Sequence, residues 1–215
     1  MLTLAEEILL LALDEETGTI VDLPNYQTNA MLVAAVLMDL ALQNRIDTDV
    51  QNLQVISQEP TRNPILDKIL SLLPVPGQTQ SIRTLLDRLS EQGEDIRELA
   101  LCQLIEKRIL KQENRRLLWV FKTRRYPMID NREIKEVEGR LHDLITGDDL
   151  PDPRDVVLIS LVNICGLFDQ ILSPREWRRS QARIAQLSKM DLIGRQLSKS
   201  IQEIQRAMAM SSLPG

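Results

Sequence analysis

Few residues of the chain have the types and spacing that an active site needs. His142 is the only histidine, and no group of cysteine, histidine and carboxylate residues has the spacing of metal ligands. The sequence contains no GxSxG motif, no glycine-rich phosphate loop and no HExxH motif. The paired carboxylates at 6–7 and 148–149 are expected at helix ends or turns, not as an acid/base pair. We therefore predict a protein that is not an enzyme and that uses no metal or cofactor.

The strongest chemical signal is a group of basic residues interleaved with apolar and aromatic ones. Residues 109–121 (ILKQENRRLLWVF) have two β-prone arms around a polar centre, where Glu113 and Asn114 are predicted to form the tight turn of a β-hairpin. Anionic membrane surfaces attract basic residues, and tryptophan favours the membrane interface. We predict a protruding hairpin that contacts a membrane; the alternative is that Trp119 and Phe121 pack on the core. The residues of this candidate contact are Arg115, Arg116, Leu117, Leu118, Trp119, Phe121, Arg124 and Arg125.

Basic residues in the sequence also allow two other interpretations. A helix followed by a β-hairpin is also the end of a winged-helix unit, so a regulator that binds nucleic acid is the alternative function. The net charge of −5 argues against it. Arg175, Arg179 and Arg183 are four positions apart and share one helix face, which we interpret as a solvated face.

The elements that must position these residues are predicted to be helices around one buried helix. Residues 27–46 (QTNAMLVAAVLMDLALQNRI) form the most apolar run, and a helix that is apolar nearly all round has to be buried. Asp39 lies inside this run, and the sequence has no second run like it, so we predict the central helix of a helical domain and not a transmembrane segment. The predicted bounds of this helix are residues 27–43.

The rest of the chain predicts one mainly α-helical domain over residues 1–215. Aromatic residues are only 3% of the sequence, which favours helices of Leu, Ile and Ala over sheets. Thr3 and Glu6 have the spacing of a helix capping box. Helices are predicted at 4–13, 65–73, 81–91, 95–108, 131–146, 153–172, 174–189 and 191–210, with a small hairpin at 45–57.

The N-terminal residues and the two cysteines predict a cytoplasmic protein. The first residues, MLTLAEE, include no basic region of a signal peptide. Cys102 and Cys165 both lie in apolar stretches of predicted helix. We predict that both are buried free thiols in a reducing compartment.

Six ordered segments resemble the Golgi phosphoprotein 3 family. They run along nearly the whole chain, and their order and spacing match those of the family. The segments are LTLAEEILLLALDEETGTI at 2–20, LMDLALQNRI at 37–46, PTRNPILDKIL at 60–70, LIEKRIL at 104–110, RRYPMIDN at 124–131 and PDPRDVVLISLVNICGLFDQIL at 151–172. The chain is similar to the compact prokaryotic members.

The resemblance implies a fold and a function. The family fold is a mostly helical single domain with a protruding β-hairpin, which mediates self-association in Golgi members. Those members are peripheral membrane adaptors that bind the phosphatidylinositol 4-phosphate head group in a basic pocket and retain enzymes by their cytosolic tails. For this chain the resemblance implies an anionic phospholipid surface, a protein client tail and a second copy of the chain as partners.

The head-group pocket carries over only in part. A tryptophan of the family pocket lies in the loop where this chain has Tyr26 and no tryptophan. An arginine early in the central helix corresponds to Val33, and two arginines before the hairpin correspond to Glu94 and Arg97. Arg97 and Tyr26 are therefore the candidate head-group residues. Because a phosphate donor is lost at 33 and a charge is inverted at 94, we expect weak and unselective binding of phosphatidylinositol 4-phosphate.

Overall fold

Helix α2, Asn25–Leu42, lies at the centre of the fold. The computed structural model describes residues 1–14, 17–20, 25–49, 51–117, 121–190 and 199. Every residue of α2 from Ala30 to Leu40 is buried, which confirms the predicted central helix. Helices α1 (Leu4–Leu11), α3 (Pro64–Leu70), α4 (Ile82–Leu89), α5 (Gly93–Glu106) and α7 (Pro153–Cys165) pack around it. None of the helices in the described part of the chain has the length and apolar character needed to cross a membrane.

Helix α1 begins at the predicted capping box. The backbone N–H of Thr3 donates to Glu6 Oε2 at 2.7 Å, and the backbone N–H of Glu6 donates to Thr3 Oγ1 at 3.2 Å. These two bonds satisfy amides that the first turn of a helix otherwise leaves unpaired. All eight residues of α1 are buried between α2, α5, α6 (Arg132–Thr146) and α7.

Glycines account for two differences from the predicted helices. The predicted helix at 153–172 is two helices, α7 and α8 (Phe168–Ile171), because Gly166 adopts a left-handed φ of 66° and ends α7. Gly93 lies between the helices predicted at 81–91 and 95–108, but it is the first residue of α5, directly after a 3₁₀ turn at Ser90–Gln92. A Cβ on Gly93 would lie 2.3 Å from Asn29 Cα, so glycine allows α5 to approach α2 closely.

The remaining helix α9, Pro174–Ser188, packs on α6, α7 and α8. Its N-terminus carries a second capping box, between Ser173 and Glu176. The helix predicted at 191–210 lies outside the described residues, apart from residue 199.

Two small antiparallel sheets complete the described fold. Strands β1 (Ile46–Thr48) and β2 (Asn52–Val55) form the predicted small hairpin, and β3 (Thr79–Ser81) adds to β2. Strands β4 (Glu113–Leu117) and β5 (Phe121–Arg125) form the second hairpin. The existence of this hairpin is confirmed, but its predicted turn is wrong. Glu113 and Asn114 lie in β4, opposite Arg125 and Arg124, and the strands are joined through residues 118–120.

One prediction about the cysteines is also wrong. Both are free, but Cys102 is exposed. The buried residues of α5 are Ile96, Ala100, Leu101 and Leu104, so position 102 lies away from the core. Cys165 is largely covered, and burial raises the pKa of its thiol.

Candidate functional site

A cavity of about 380 Å³ lies beside the first turns of α5 and contains the candidate residue Arg97. Its volume lies within the usual range of small-ligand sites. The wall combines charged side chains of α5 with apolar and aromatic groups of two other segments. The lining residues are Thr19, Ile20, Glu94, Arg97, Glu98, Leu101 and Tyr126.

Arg97 is only partly satisfied by its neighbours. Its Nη2 forms an ion pair with Oε1 of Glu94, which precedes it by one helical turn. Its Nε is buried and has no hydrogen-bond partner among the described residues. The side chain as a whole is 28% exposed. The exposed part of the guanidinium can bind an anionic group that enters the cavity, because hydrogen bonds between charged groups are stronger than neutral ones.

The wall opposite α5 is built by a contact between two loops. The backbone N–H of Tyr126 donates to the carbonyl oxygen of Gly18 at 2.7 Å. Gly18 has a φ of 64°, and a Cβ there would lie 2.7 Å from the nitrogen of Pro127. The close approach therefore depends on glycine and fixes Ile20 and Tyr126 on one side of the cavity. Sequence reasoning missed Thr19, Ile20 and Tyr126 because no motif marks them.

The other two positions that correspond to the family pocket, 26 and 33, are not seen to line the cavity. Tyr26 lies in the first turn of α2, and its side chain is outside the described residues. Val33 is fully buried in the core and does not line the cavity. Position 33 therefore contributes packing to α2, and among the described residues that line the cavity the one cation is Arg97, beside the carboxylates of Glu94 and Glu98.

The structure gives the backbone positions of most of the predicted hairpin contact. Arg115, Arg116 and Leu117 are in β4. Phe121, Arg124 and Arg125 are in β5, and the register pairs Leu117 with Phe121 and Arg115 with Thr123. Leu118 and Trp119 lie outside the described residues. Of these side chains, only that of Arg125 is described, and its buried Nε has no hydrogen-bond partner in the described part.

A larger cavity, of about 540 Å³, lies between the N-terminus, α6 and α7. Its floor is a network of buried charges. Arg154 Nη1 donates to Asp39 Oδ1 at 2.8 Å, and its Nη2 donates to Glu7 Oε2 at 3.0 Å. Arg140 Nε lies 2.7 Å from Asp155 Oδ1, and Lys107 forms an ion pair with Glu6. Because these cations are bonded to carboxylates of the same network, we interpret it as a structural element that joins α1, α2 and α7.

Burial dominates the electrostatics of this network. Removal from water raises the pKa of the Glu7 and Asp39 carboxyls, although the guanidinium of Arg154 lowers both. Burial likewise raises the pKa of Asp155, against the effect of Arg140. The sequence signal that could have found the network is Asp39, a charge inside an otherwise apolar helix, which requires a partner.

The only histidine of the chain lies between α6 and α9. His142 Nε2 is 3.3 Å from Glu176 Oε1, and Nδ1 is 3.5 Å from Asp143 Oδ1. The hydrogen bond to Glu176 raises the pKa of His142. Within the described residues, no group of histidine, cysteine and carboxylate side chains is placed to hold a metal ion. On α9, Arg175, Arg178 and Arg179 are exposed.

Comparison with known proteins assigns the chain to a family. Among curated proteins, none matches the chain. The sequence model described as Golgi phosphoprotein 3 (GPP34) matches residues 4–204, which include the helices around α2, the Arg97 cavity and the β4–β5 hairpin. The chain therefore belongs to the Golgi phosphoprotein 3 family.

Proposed function

We propose that this protein is a non-enzymatic, peripheral membrane-binding module. The observation that carries the proposal is a cavity of ligand size whose wall includes the partly exposed side chain of Arg97, in a chain of this family. A phospholipid phosphate in this cavity would accept hydrogen bonds from the guanidinium. The described lining has a single arginine, so we expect the cavity's contribution to affinity to be modest.

The β4–β5 hairpin supplies the second contact in this proposal. Between residues 113 and 125 the chain has five basic residues and one acidic residue, together with Leu117, Trp119 and Phe121. Basic residues near an anionic bilayer contribute about 1 kcal/mol each, and aromatic residues favour the interface. The hairpin would bring the chain to the membrane by diffuse charge, and it would also be the surface for contact with a second copy. A protein client tail is a further proposed partner.

Vesicle co-sedimentation tests the proposal. Vesicles of phosphatidylcholine with phosphatidylglycerol, compared with phosphatidylcholine alone, should bind the protein in a manner that weakens as salt rises, because diffuse charge is screened. Arg97→Gln should reduce binding, whereas Arg132→Gln, which removes an exposed cation outside the cavity, should change it little. Failure to bind any anionic vesicle would refute the membrane function.

A helix followed by a basic hairpin could also bind nucleic acid, and the same experiment can test this alternative. Duplex DNA should be run in parallel with the vesicles. Salt-dependent binding to DNA, with none to vesicles, would establish the alternative of a nucleic-acid-binding regulator.

A further inference from the structure

The β4–β5 hairpin has two faces that differ in charge. Successive residues of a strand alternate between the faces of a sheet, and directly opposite residues of an antiparallel pair share a face. The register therefore divides the hairpin residues into two sets. One set, the basic face, has Asn114 opposite Arg124 and Arg116 opposite Lys122. The other set, the mixed face, consists of Glu113, Arg115, Leu117, Phe121, Thr123 and Arg125.

The two faces differ in how their charges are compensated. The basic face has three cations and no carboxylate at its four positions. Arg116 and Lys122 are directly opposite, and like charges in this arrangement destabilise an antiparallel pair. On the mixed face, Glu113 forms an ion pair with Lys111 at 2.8 Å and is directly opposite Arg125. A bound anion would offset the repulsion on the basic face, whereas the mixed face has a carboxylate of its own.

We propose that the basic face is the face of the hairpin that binds phospholipid phosphates, through Arg116, Lys122 and Arg124. This inference rests on the membrane function proposed above and identifies the residues of its hairpin contact. The phosphates of an anionic bilayer are acceptors that all three residues can bind, and a bilayer presents many of them side by side. The net charge of −5 argues against nucleic acid as the polyanion.

The position of the basic face next to the Arg97 cavity supports the same contact. Tyr126 lines this cavity and follows Arg124 by two positions. Two residues of a fully extended chain span at most about 7 Å, so the Cα atoms of Arg124 and Tyr126 lie within that distance. A bilayer that reaches the cavity is therefore also close to the start of the basic face.

Two neighbouring residues of β4 provide a matched comparison. Arg115→Gln and Arg116→Gln remove the same charge from adjacent positions, one on each face. Binding to vesicles of phosphatidylcholine with phosphatidylglycerol should weaken about fivefold in Arg116→Gln, as expected for a basic residue close to an anionic bilayer. Arg115→Gln should weaken it by less than about twofold, because a charge farther from the bilayer is screened. Lys122→Gln should reproduce the effect of Arg116→Gln.

Thermal melts separate binding from a structural role of these residues. Arg116→Gln and Lys122→Gln each remove one member of the like-charge pair, so neither should lower the thermal midpoint. Arg116→Glu places a carboxylate opposite Lys122, so it should keep or raise the midpoint and weaken vesicle binding further, because the charge is reversed. A lower midpoint in these variants would assign the basic face a structural role and overturn the inference.

The other outcomes separate this inference from the membrane function. Equal losses of vesicle binding in Arg115→Gln and Arg116→Gln would overturn the inference, since diffuse charge of the whole hairpin would then account for the contact. A lower oligomer mass of Arg116→Gln in light scattering would assign the basic face to self-association, and a loss of DNA binding without a loss of vesicle binding would assign it to nucleic acid. Each of these results overturns the inference and leaves the membrane function standing, whereas absence of binding to any vesicle would overturn both.

Discussion

Arg154 and Asp39 are 115 positions apart in the sequence and meet in the core, with Arg154 Nη1 donating to Asp39 Oδ1 at 2.8 Å. The other carboxylate oxygen, Oδ2, accepts the backbone N–H of Leu4 at 2.7 Å. Arg154 Nη2 also donates to the carbonyl oxygen of Leu2 at 2.7 Å and to Glu7. This one guanidinium therefore links the start of α1, the centre of α2 and the first turn of α7.

Arg154→Met should lower the free energy of unfolding by about 3–5 kcal/mol, because Asp39 would stay buried without its cation and Glu7 would keep only the 3.5 Å contact with Arg140. Urea melts measure this loss. Arg132→Met is the control, since the exposed ion pair of Arg132 with Asp130 lies at the surface and should contribute no measurable stability. An unchanged midpoint for Arg154→Met would mean that the network is not structural.

The same variant has a predicted pH dependence. Arg154 lowers the pKa of Glu7 and Asp39, so its removal should raise both values further above those of the unfolded chain. A carboxyl whose pKa is raised by folding destabilises the folded state most at high pH, where the buried group is ionised. This destabilisation decreases as pH falls through the folded pKa and is absent below the unfolded value. The stability lost in Arg154→Met should therefore be smaller at pH 5 than at pH 8.

Leu40→Ala should lower the free energy of unfolding by about 2–5 kcal/mol through the cavity that it leaves in the core. Leu40 is 0% exposed, whereas Leu42, two residues later, is 38% exposed. Leu42→Ala should therefore cost much less in the same denaturant melts. Equal losses for the two variants would show that α2 is not the centre of the core.

The sequence predicted the helices that are marked by residues within or next to the helix itself. The apolar run of α2, the capping box of Thr3 and Glu6, and prolines at the starts of α7 and α9 mark helices without reference to the rest of the chain. β3 was missed because its three residues, TQS, are polar and become a strand only by pairing with β2. Cys102 was misplaced because an apolar stretch of helix does not reveal which of its positions faces solvent.

The candidate site was predictable only at Glu94 and Arg97, where a resemblance supplied a residue-by-residue correspondence. Tyr126 and Ile20 reach the cavity through the contact between Gly18 and the segment after β5, which joins residues more than one hundred positions apart. The hairpin turn was misplaced for a different reason. Glu113-Asn114 is a favourable turn sequence, but the register pairs Glu113 with Arg125 and Asn114 with Arg124, so both residues lie inside strand β4.

His142→Gln tests the contact between α6 and α9. The pKa of His142 is raised in the folded protein by its hydrogen bond to Glu176, so its stabilising effect is complete below the ordinary histidine value of 6.5 and is lost as pH rises through the raised folded value. The thermal midpoint of the wild type should fall from pH 6 to pH 8 by more than that of the variant. An equal change of the thermal midpoint with pH in the two proteins would show that the hydrogen bond between His142 and Glu176 does not contribute to stability. The groups that face His142 in this contact are Glu176 and Asp143.

Removing the outer part of the β4–β5 hairpin should leave the domain folded. Glu113 and Arg125 are directly opposite in the register, so a two-residue Asn-Gly turn can replace residues 114–124. β4 and β5 pair with each other and with no other strand of the described residues, so the core should remain intact. The variant should weaken vesicle binding or lower the oligomer mass in light scattering.

A matched control for the hairpin removes exposed cations elsewhere. Arg175, Arg178 and Arg179 on α9 are exposed, and their joint replacement by glutamine removes three positive charges without touching the hairpin. If this triple variant and the shortened hairpin lose vesicle binding equally, net charge and not the hairpin accounts for the contact. If neither loses binding and the mass is unchanged, the hairpin is scaffold.

Glu94→Arg should convert the cavity toward binding of phosphate monoesters. The described lining of the wild type has one cation and two carboxylates, so we expect weak binding of phosphatidylinositol 4-phosphate, with little preference over other anionic lipids at matched charge. The substitution replaces a carboxylate by a phosphate donor next to Arg97, and each charged hydrogen bond gained is worth about 1.5–3 kcal/mol, or tenfold and more in affinity. Position 94 is exposed, so the fold should tolerate arginine.

Glu91→Arg adds the same charge outside the cavity and should raise binding to all anionic vesicles alike, whereas Glu94→Arg should raise binding to phosphatidylinositol 4-phosphate most. Tight, salt-resistant binding of that lipid by the wild type would mean instead that other residues, with Tyr26 the first to mutate, complete the pocket.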